Sequence, residues 1–224
     1  MNVIYDKSKF FSFYIKSGKG IEIGALHASL PVPDGVEVLY VDRFPEEKLK
    51  EHYKEHADKI IKVDVVDDGE TLSAFDDAGQ DFIIASHFFE HCRNPLRALS
   101  NMLRVLKKEG ILFLAVPDKR FTFDRDRPVT PLKHLLEDYK QEDSVEIKEH
   151  FADHVLNIEK ITDPEAAARR IMELMEMDYS IHYHVWTQHE MLEIFLSLSK
   201  VFGFEFEAVL RSGMEMVFIL RKII

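Results

Sequence analysis

The chain has 224 residues, of which 46% are hydrophobic and 31% charged, so it can bury a sizeable core and is not disordered throughout. Lysine and arginine total 29 against 40 aspartates and glutamates, which gives a net charge of −11. This charge disfavours nucleic acid or an anionic membrane as the main partner, because both attract basic proteins. The single cysteine, Cys92, excludes an internal disulfide and a cysteine-based zinc cluster. We predict no signal peptide within residues 1–19 and no membrane span, and we expect a cytoplasmic protein.

Apolar runs alternate with polar, helix-like segments through the first half of the sequence. Near-continuous apolar strands separated by helices are typical of a parallel sheet that is covered on both faces. The predicted strands are residues 20–24, 36–42, 60–65, 81–86 and 111–117, and the predicted helices are residues 6–17, 45–58 and 95–108, the last closed by Gly110 as its C-cap.

The end of the sequence departs from this alternation. A helix over residues 189–202 precedes two alternating strands, 204–210 and 215–220, which flank a turn and predict an antiparallel hairpin. The predicted fold class is therefore α/β: a Rossmann-like, seven-stranded, mostly parallel sheet with a C-terminal antiparallel hairpin and helices on both faces.

Residues 119–188 interrupt the pattern between strand five and the last helix. They are rich in Asp, Arg and His and contain a helical run at 164–177. We interpret them as a helical insertion, or lid, that forms the substrate site within one domain of residues 1–224.

Candidate ligand-binding residues follow the predicted strands. In open α/β sheets, ligands bind beyond the carboxyl ends of the strands. Gly24 permits a tight turn and a close backbone approach after strand one. Leu26 and Ala28 occupy the places of two further glycines in a dinucleotide motif, which disfavours a pyrophosphate and leaves an adenosine without phosphates open. Asp42, at the end of strand two, can accept hydrogen bonds from ribose hydroxyls, or it is a turn aspartate.

Two further segments lie at the same predicted edge. After strand three, Asp67 or Asp68 could accept from an adenine amino group, although a solvated acidic loop explains the pair equally well. After strand four, Ser86 begins a segment in which His87 to His91 follow the order H-x-x-E-H of an inverted zinc-peptidase motif. We reject that interpretation, because the segment starts at a strand end rather than within a helix.

These segments together resemble the class I S-adenosylmethionine-dependent methyltransferases, and methyltransferase type 11 among them. The most specific stretch comprises residues 81–91 (DFIIASHFFEH), Asn94-Pro95 with its leucine-rich helix, and residues 108–117 (KEGILFLAVP). The likeness covers residues 20–118 well. It fails at Leu26, where the family usually has a second glycine. Segments at 22–27, 40–43 and 182–186 look like a branch associated with bacterial surface-polysaccharide biosynthesis.

The resemblance implies S-adenosylmethionine as the cofactor and assigns residues to its parts. Glu22 and Gly24 fall under the methionine part, Asp42 with its neighbour Arg43 at the ribose, and Asp67 or Asp68 near the adenine. Ser86 and His87 fall beside the cofactor, and His91 braces the loop.

The acceptor residues are sought mainly in the insertion. A sugar hydroxyl needs a base, because its pKa lies far above neutral, and a histidine suits that task. His182 and His184, which would face one way in a strand, and His87 are the catalytic candidates. We predict no metal; the alternative is a site from His182, His184 and Asp153 or His154. The substrate-binding candidates are Asp118, Arg120, Arg125 and Trp186. The arginines, with Arg127, could bind phosphate or carboxylate groups, and Trp186 could stack on a sugar.

The sequence therefore predicts a methyltransferase that acts at an oxygen of a sugar, a glycan or a nucleotide-linked sugar. Two alternatives stay open: a nicotinamide-dependent sugar oxidoreductase or epimerase, which the missing glycines disfavour, and a non-catalytic module that binds S-adenosylmethionine. We expect a small-molecule or glycan acceptor, no nucleic acid and no membrane insertion, and we leave a homodimer open.

Overall fold

One mixed sheet organises the computed structural model, which describes residues 6–141 and 146–224. Its order is β3-β2-β1-β4-β5-β7-β6; the first five strands run parallel, and β7 runs antiparallel to both β5 and β6. The predicted fold class is confirmed. The strands are β1 (Gly18–Ile23), β2 (Val36–Asp42), β3 (Val65–Val66), β4 (Gln80–Ser86), β5 (Leu106–Pro117), β6 (Phe204–Ser212) and β7 (Glu215–Lys222).

Helices cover both faces of this sheet. On one face Ile21, Ile83 and Leu112 belong to the apolar core that includes the buried residues of α3 and α7. On the other face the Phe11 ring of α1 packs edge-on against Phe82, with the ring centroids 5.4 Å apart. The helices are α1 (Lys7–Tyr14), α2 (Glu46–His52), α3 (Pro95–Val105), α4 (Leu132–Gln141), α5 (Lys148–Asn157), α6 (Pro164–Glu176) and α7 (Gln188–Phe202).

Two local predictions are wrong. Of the strand predicted at 60–65, only its last residue is in a strand, because the Asp64 carboxylate accepts the Tyr40 N–H at 3.1 Å in place of a strand carbonyl. Gly110 is not a helix cap. Helix α3 ends at Val105 with Leu106 as its C-cap, and Gly110 lies within β5.

The insertion forms helices α4, α5 and α6 and has an apolar cluster of its own. Phe151 and Val155 of α5 pack there with Ile171 and Leu174 of α6 and with Ile181. None of the helices in the described residues has the length and apolar character needed to cross a bilayer.

A charged contact joins the end of this insertion to the main sheet. Asp178, just after α6, pairs with Arg43 at the end of β2 (3.0 Å) and with Arg93 before α3 (2.5 Å). The insertion is therefore tied to two elements that follow strands at the carboxyl edge.

We expect Gly20→Ala to destabilise the protein by about 3 kcal/mol, a severe overpacking effect. A β-carbon at Gly20 would lie 2.3 Å from the Phe82 carbonyl oxygen, which belongs to the neighbouring strand β4. Urea denaturation measures the loss. Gly79→Ala is the control, because its nearest neighbour would lie 3.3 Å away. Equal stability of the two variants would contradict this packing.

Candidate active site

The carboxyl ends of three neighbouring strands bring Gly24, Asp42 and Ser86 to one edge. Strand β1 lies between β2 and β4, with Ile23 in register with both Val41 and Ala85. The Gly24 N–H donates to the Val41 carbonyl at 2.9 Å, which holds the first turn against β2. The strand order reverses between β1 and β4, and this is where α/β sheets bind ligands.

The turn after β1 uses two left-handed backbone positions. Gly24 has φ 66°, a conformation that favours glycine, and Leu26 has φ 49°. Leu26 stands where the resemblance expects a second glycine. The turn therefore keeps a glycine-like backbone at Leu26, at a cost of about 1–2 kcal/mol for the side chain it carries.

Glu22 carries an unpaired oxygen in this region. Its carboxyl group is buried in β1, where Oε1 accepts a hydrogen bond from the Leu30 N–H at 2.9 Å. Oε2 has no hydrogen-bond partner among the described residues. Burial raises the pKa of Glu22 to about 7. A cationic group of a ligand would satisfy this oxygen and favour the ionised form.

The Asp42 carboxylate can accept further hydrogen bonds. Its Oδ1 accepts a long hydrogen bond from the Phe44 N–H, at 3.4 Å, and burial raises its pKa. A small cavity beside it is lined by Leu26 and Leu49. These features fit a ligand that donates hydroxyl hydrogen bonds. The neighbouring Arg43 instead pairs with Asp178.

Asp67 and Asp68, in the loop after β3, have different environments. Asp67 accepts hydrogen bonds from Asp68 N–H, Ser73 Oγ and Ala74 N–H at 2.8–2.9 Å, so it organises the loop. Asp68 is exposed, and its Oδ1 accepts from the Glu70 N–H at 2.9 Å. Asp68 is thus the more accessible of the two acidic groups.

His87 is a cation at neutral pH. Its Nε2 lies 2.6 Å from Glu215 Oε1 and its Nδ1 lies 3.4 Å from Glu90 Oε1. The hydrogen bond to Glu215 and the nearby Glu90 carboxylate raise the pKa of His87 to about 9. A protonated imidazole has no lone pair to accept a proton, so this geometry does not fit the base that was predicted there. It remains compatible with a place beside the cofactor.

The partners of His87 escaped sequence reasoning. Glu215 begins β7 and also pairs with Lys7 of α1 at 2.7 Å, so residues from both ends of the chain meet at this edge. Glu215 and Lys7 were not predicted because they are far apart in the sequence. Glu90 carried one signal, its place in the H-x-x-E-H order; it is buried, and neither of its carboxylate oxygens has a hydrogen-bond partner among the described residues.

His182 forms a dyad with a buried aspartate. Its Nδ1 lies 2.6 Å from Asp124 Oδ2, and Asp124 Oδ1 also accepts from Arg127 Nη1 at 2.8 Å. Burial opposes ionisation of Asp124, but the contacts with His182 and Arg127 outweigh it and lower the pKa of Asp124. An aspartate bound to Nδ1 orients the ring and leaves Nε2 as the basic nitrogen. The sequence did not single out Asp124.

His184 does not share a face with His182, contrary to prediction. The segment is not a strand at these positions, and the N–H groups of Tyr183 and His184 both point to the Glu90 carbonyl, at 2.8 and 3.4 Å. His182 packs against His91, with the ring centroids 4.7 Å apart. His184 is fully buried, and this burial lowers its pKa well below the usual value. An enclosed side chain does not fit a catalytic base.

The predicted acceptor residues are largely engaged within the protein. Asp118 is buried and receives two hydrogen bonds from the Arg120 guanidinium, at 2.9 and 2.6 Å. Trp186 is fully buried near Phe89, and its ring stacks on His184, so it does not fit a sugar platform. Arg125 is exposed over 73% of its side chain and remains accessible.

Comparisons with known proteins agree with this architecture. Residues 17–114 match the family model described as a methyltransferase domain. A structure from Thermotoga maritima, titled a SAM-dependent methyltransferase, is 17% identical with a TM-score of 0.54, covering 97% of this chain and 88% of that one. One from Methanosarcina mazei is 18% identical with a TM-score of 0.53 over all of both chains. One from Aquifex aeolicus is 16% identical with a TM-score of 0.53, over 99% and 91%. None of the curated proteins compared matches the sequence.

At these identities the solved structures show a shared fold. The fold and the matched domain together support a methyltransferase. The matched domain and these structures support S-adenosylmethionine as the cofactor. The unpaired Oε2 of Glu22 and the free capacity of Asp42 fit the amino group and the ribose of that molecule.

We expect stability to fall as the pH rises past neutrality, because of His87. Its pKa is about 9 in the folded chain against an ordinary value of 6.5, so its stabilisation is full below pH 6.5 and is lost as pH rises through 9. The side chain is 45% exposed, so after allowance for solvent screening we expect about 1 kcal/mol.

Denaturant unfolding of wild type and His87→Gln measures this difference. The pH runs from about 6 to about 9.5, because that range brackets the two pKa values. The variant should lack the decline. His189→Gln is the control, because His189 is 75% exposed on α7. Parallel pH curves for wild type and His87→Gln would contradict the charged state.

Proposed function

We propose that this protein methylates a hydroxyl oxygen of a carbohydrate: a sugar, a glycan or a nucleotide-linked sugar. The observation that carries the proposal is the hydrogen bond between His182 and the buried Asp124. A hydroxyl must lose its proton during methylation, whereas a carboxylate or a free amine needs no base. A histidine oriented by an aspartate meets that need.

The cofactor site is proposed at the carboxyl edge around β1. Glu22 would bind the amino group, Asp42 the ribose and Asp68 the adenine, with Gly24 and Ser86 lining the floor. When bound, S-adenosylmethionine supplies a methyl group activated by its positive sulfur. The role of the protein is to orient the acceptor and to remove its proton.

The proton chemistry falls to His182 and Asp124. His182 Nε2 would take the proton of the acceptor hydroxyl as the methyl group passed from sulfur to that oxygen, and the cofactor would leave as the neutral thioether S-adenosylhomocysteine. Asp124 stabilises the imidazolium that results, and Arg127 keeps Asp124 ionised. His182 is 11% exposed, so the proton can pass on to solvent.

The acceptor class rests on two supports. The segments at 22–27, 40–43 and 182–186 look like the surface-polysaccharide branch. Arg125 offers an accessible guanidinium near the insertion helices, which suits the phosphates of a nucleotide-linked sugar. We place the acceptor under the insertion, residues 119–188, which Asp178 ties to Arg43 and Arg93.

Asp42→Ala tests the cofactor site. Loss of hydrogen bonds from two ribose hydroxyls to a charged group should weaken S-adenosylhomocysteine binding by about 10–100-fold. Isothermal titration calorimetry measures it. Asp34→Ala is the control, because Asp34 is an exposed residue before the other end of β2. Equal affinities, or a preference for NADH, would overturn the assignment.

His182→Gln and Asp124→Asn test the base. We expect kcat for methyl transfer to an active sugar acceptor to fall by about 100-fold or more, since general bases contribute 10²–10⁴-fold. S-adenosylhomocysteine affinity should not change. The assay follows labelled methyl transfer to a panel of sugars, glycans and nucleotide sugars, with His189→Gln as control. Cofactor binding without transfer to any of them would favour a non-catalytic module, and full activity of both variants would remove the dyad.

A further inference from the structure

Four side chains with metal-ligating atoms converge inside the insertion. His134 and Asp138 are one turn apart on α4, His150 is on α5, and His184 lies just before α7. One ligand atom of each residue lies within 4.8 Å of the corresponding atom of every other. The three imidazole rings surround one point, with centroids 4.8–5.5 Å apart. We call these four residues the His3Asp cluster.

Most of this cluster is enclosed and unsatisfied. Asp138, His150 and His184 are buried, and His134 is half-buried. Asp138 Oδ2, His150 Nε2 and His184 Nδ1 have no hydrogen-bond partner among the described residues. Each unsatisfied buried polar atom costs about 1–3 kcal/mol, so a ligand that contacted these atoms would stabilise the cluster.

Neighbouring groups already orient two of the four residues. The other ring nitrogen of His150, Nδ1, lies 2.9 Å from the Tyr183 carbonyl oxygen, to which it donates. His184 Nε2 lies 3.4 Å from the Arg93 carbonyl oxygen, to which it donates. Metal-bound histidines almost always donate their second ring N–H in this manner, which leaves the first nitrogen free for the ion.

An internal ion pair explains only part of the arrangement. His134 Nε2 lies 3.3 Å from Asp138 Oδ2, which accounts for two members. His184 Nε2 is 3.8 Å from the same oxygen, too long for a hydrogen bond. His150 Nε2 has no such partner. A proton shared by one pair does not satisfy the remaining two imidazoles.

We propose that the His3Asp cluster binds one Zn²⁺ ion. Three imidazole nitrogens and one carboxylate oxygen are a donor set that zinc accepts in tetrahedral geometry, with bonds of about 2.0–2.2 Å. The ligand atoms need to draw together slightly around the ion. Because the protein supplies all four positions, the site is closed and structural rather than catalytic.

The position of the cluster defines what the zinc does. It connects α4 and α5 of the insertion to the segment that carries His184, two residues after the proposed base His182. The site thus stabilises the lid and the placement of His182 without contacting the acceptor. The sequence predicted no metal. The alternative metal site, built from His182, His184 and Asp153 or His154, shares only His184 with this cluster. Asp153 of that alternative pairs with Arg127 instead.

Metal analysis of the purified chain tests the proposal. Protein loaded with ZnSO₄ and then desalted should hold one zinc per chain by plasma mass spectrometry. Substitution with Co²⁺ should give the intense visible absorption of a tetrahedral site. Absence of zinc and of that absorption from the folded wild type would overturn the proposal.

The chain offers a matched control on the same helix. His150→Gln should bind zinc at least about 100-fold more weakly, since even loss of an outer partner costs 10–100-fold. His154→Gln should bind it normally, because His154 is buried to the same extent on α5 but is not in the cluster. His134→Gln removes a half-buried ligand with little risk to folding, which circular dichroism verifies. Equal zinc loss in His150→Gln and His154→Gln would overturn the site.

A second group of residues supplies the competing outcome. Glu90, His91 and His182 also have ligand atoms within 4.8 Å of one another. If His182→Gln loses zinc while His134→Gln and His150→Gln retain it, the ion lies at that group and the proposal is wrong. These readouts measure bound metal, so they are independent of methyl transfer.

Discussion

The carbonyl oxygen of Glu90 is the contact on which the arrangement of the site depends. It accepts the N–H groups of Tyr183 and His184, and so joins the insertion to the loop that follows the central strand β4. This attachment directs His182 toward Asp124 and His184 toward the His3Asp cluster. The carboxylate of the same residue lies 3.4 Å from His87. One residue thus connects strand β4, the proposed base and the proposed metal site.

Charge is distributed around this residue in a definite way. Glu90 and Glu215 flank the protonated His87, and Lys7 adds a second cation beside Glu215. The charges of this group therefore have opposite charges nearby, as low-dielectric surroundings require. Glu22 differs from them, with its raised pKa and unpaired Oε2. Its unpaired oxygen is a reason to look there for the cofactor.

Most of the sheet could be predicted from the sequence, and the orientation of the insertion could not. Long apolar runs identify β4 and β5, whereas β3 is two residues long and has almost no pattern of its own. The position of Gly24 and Asp42 at the carboxyl edge could be predicted because a strand end fixes where a residue emerges. The prediction that Trp186 stacks on a sugar was wrong, because residue type does not reveal which side of an irregular segment is buried. Glu215 was missed because 208 residues separate it from Lys7, its partner.

The burial of Trp186 has a practical consequence. It is the only tryptophan of the chain, and it lies in the main core with its indole stacked on His184, at the junction of insertion and sheet. Indole emission therefore originates from a single environment at this junction. Detachment of the insertion would expose the indole to water and shift its emission to longer wavelength. Changes at the distant edge of the sheet would leave this emission unaltered. The protein contains its own optical probe of whether the insertion is docked.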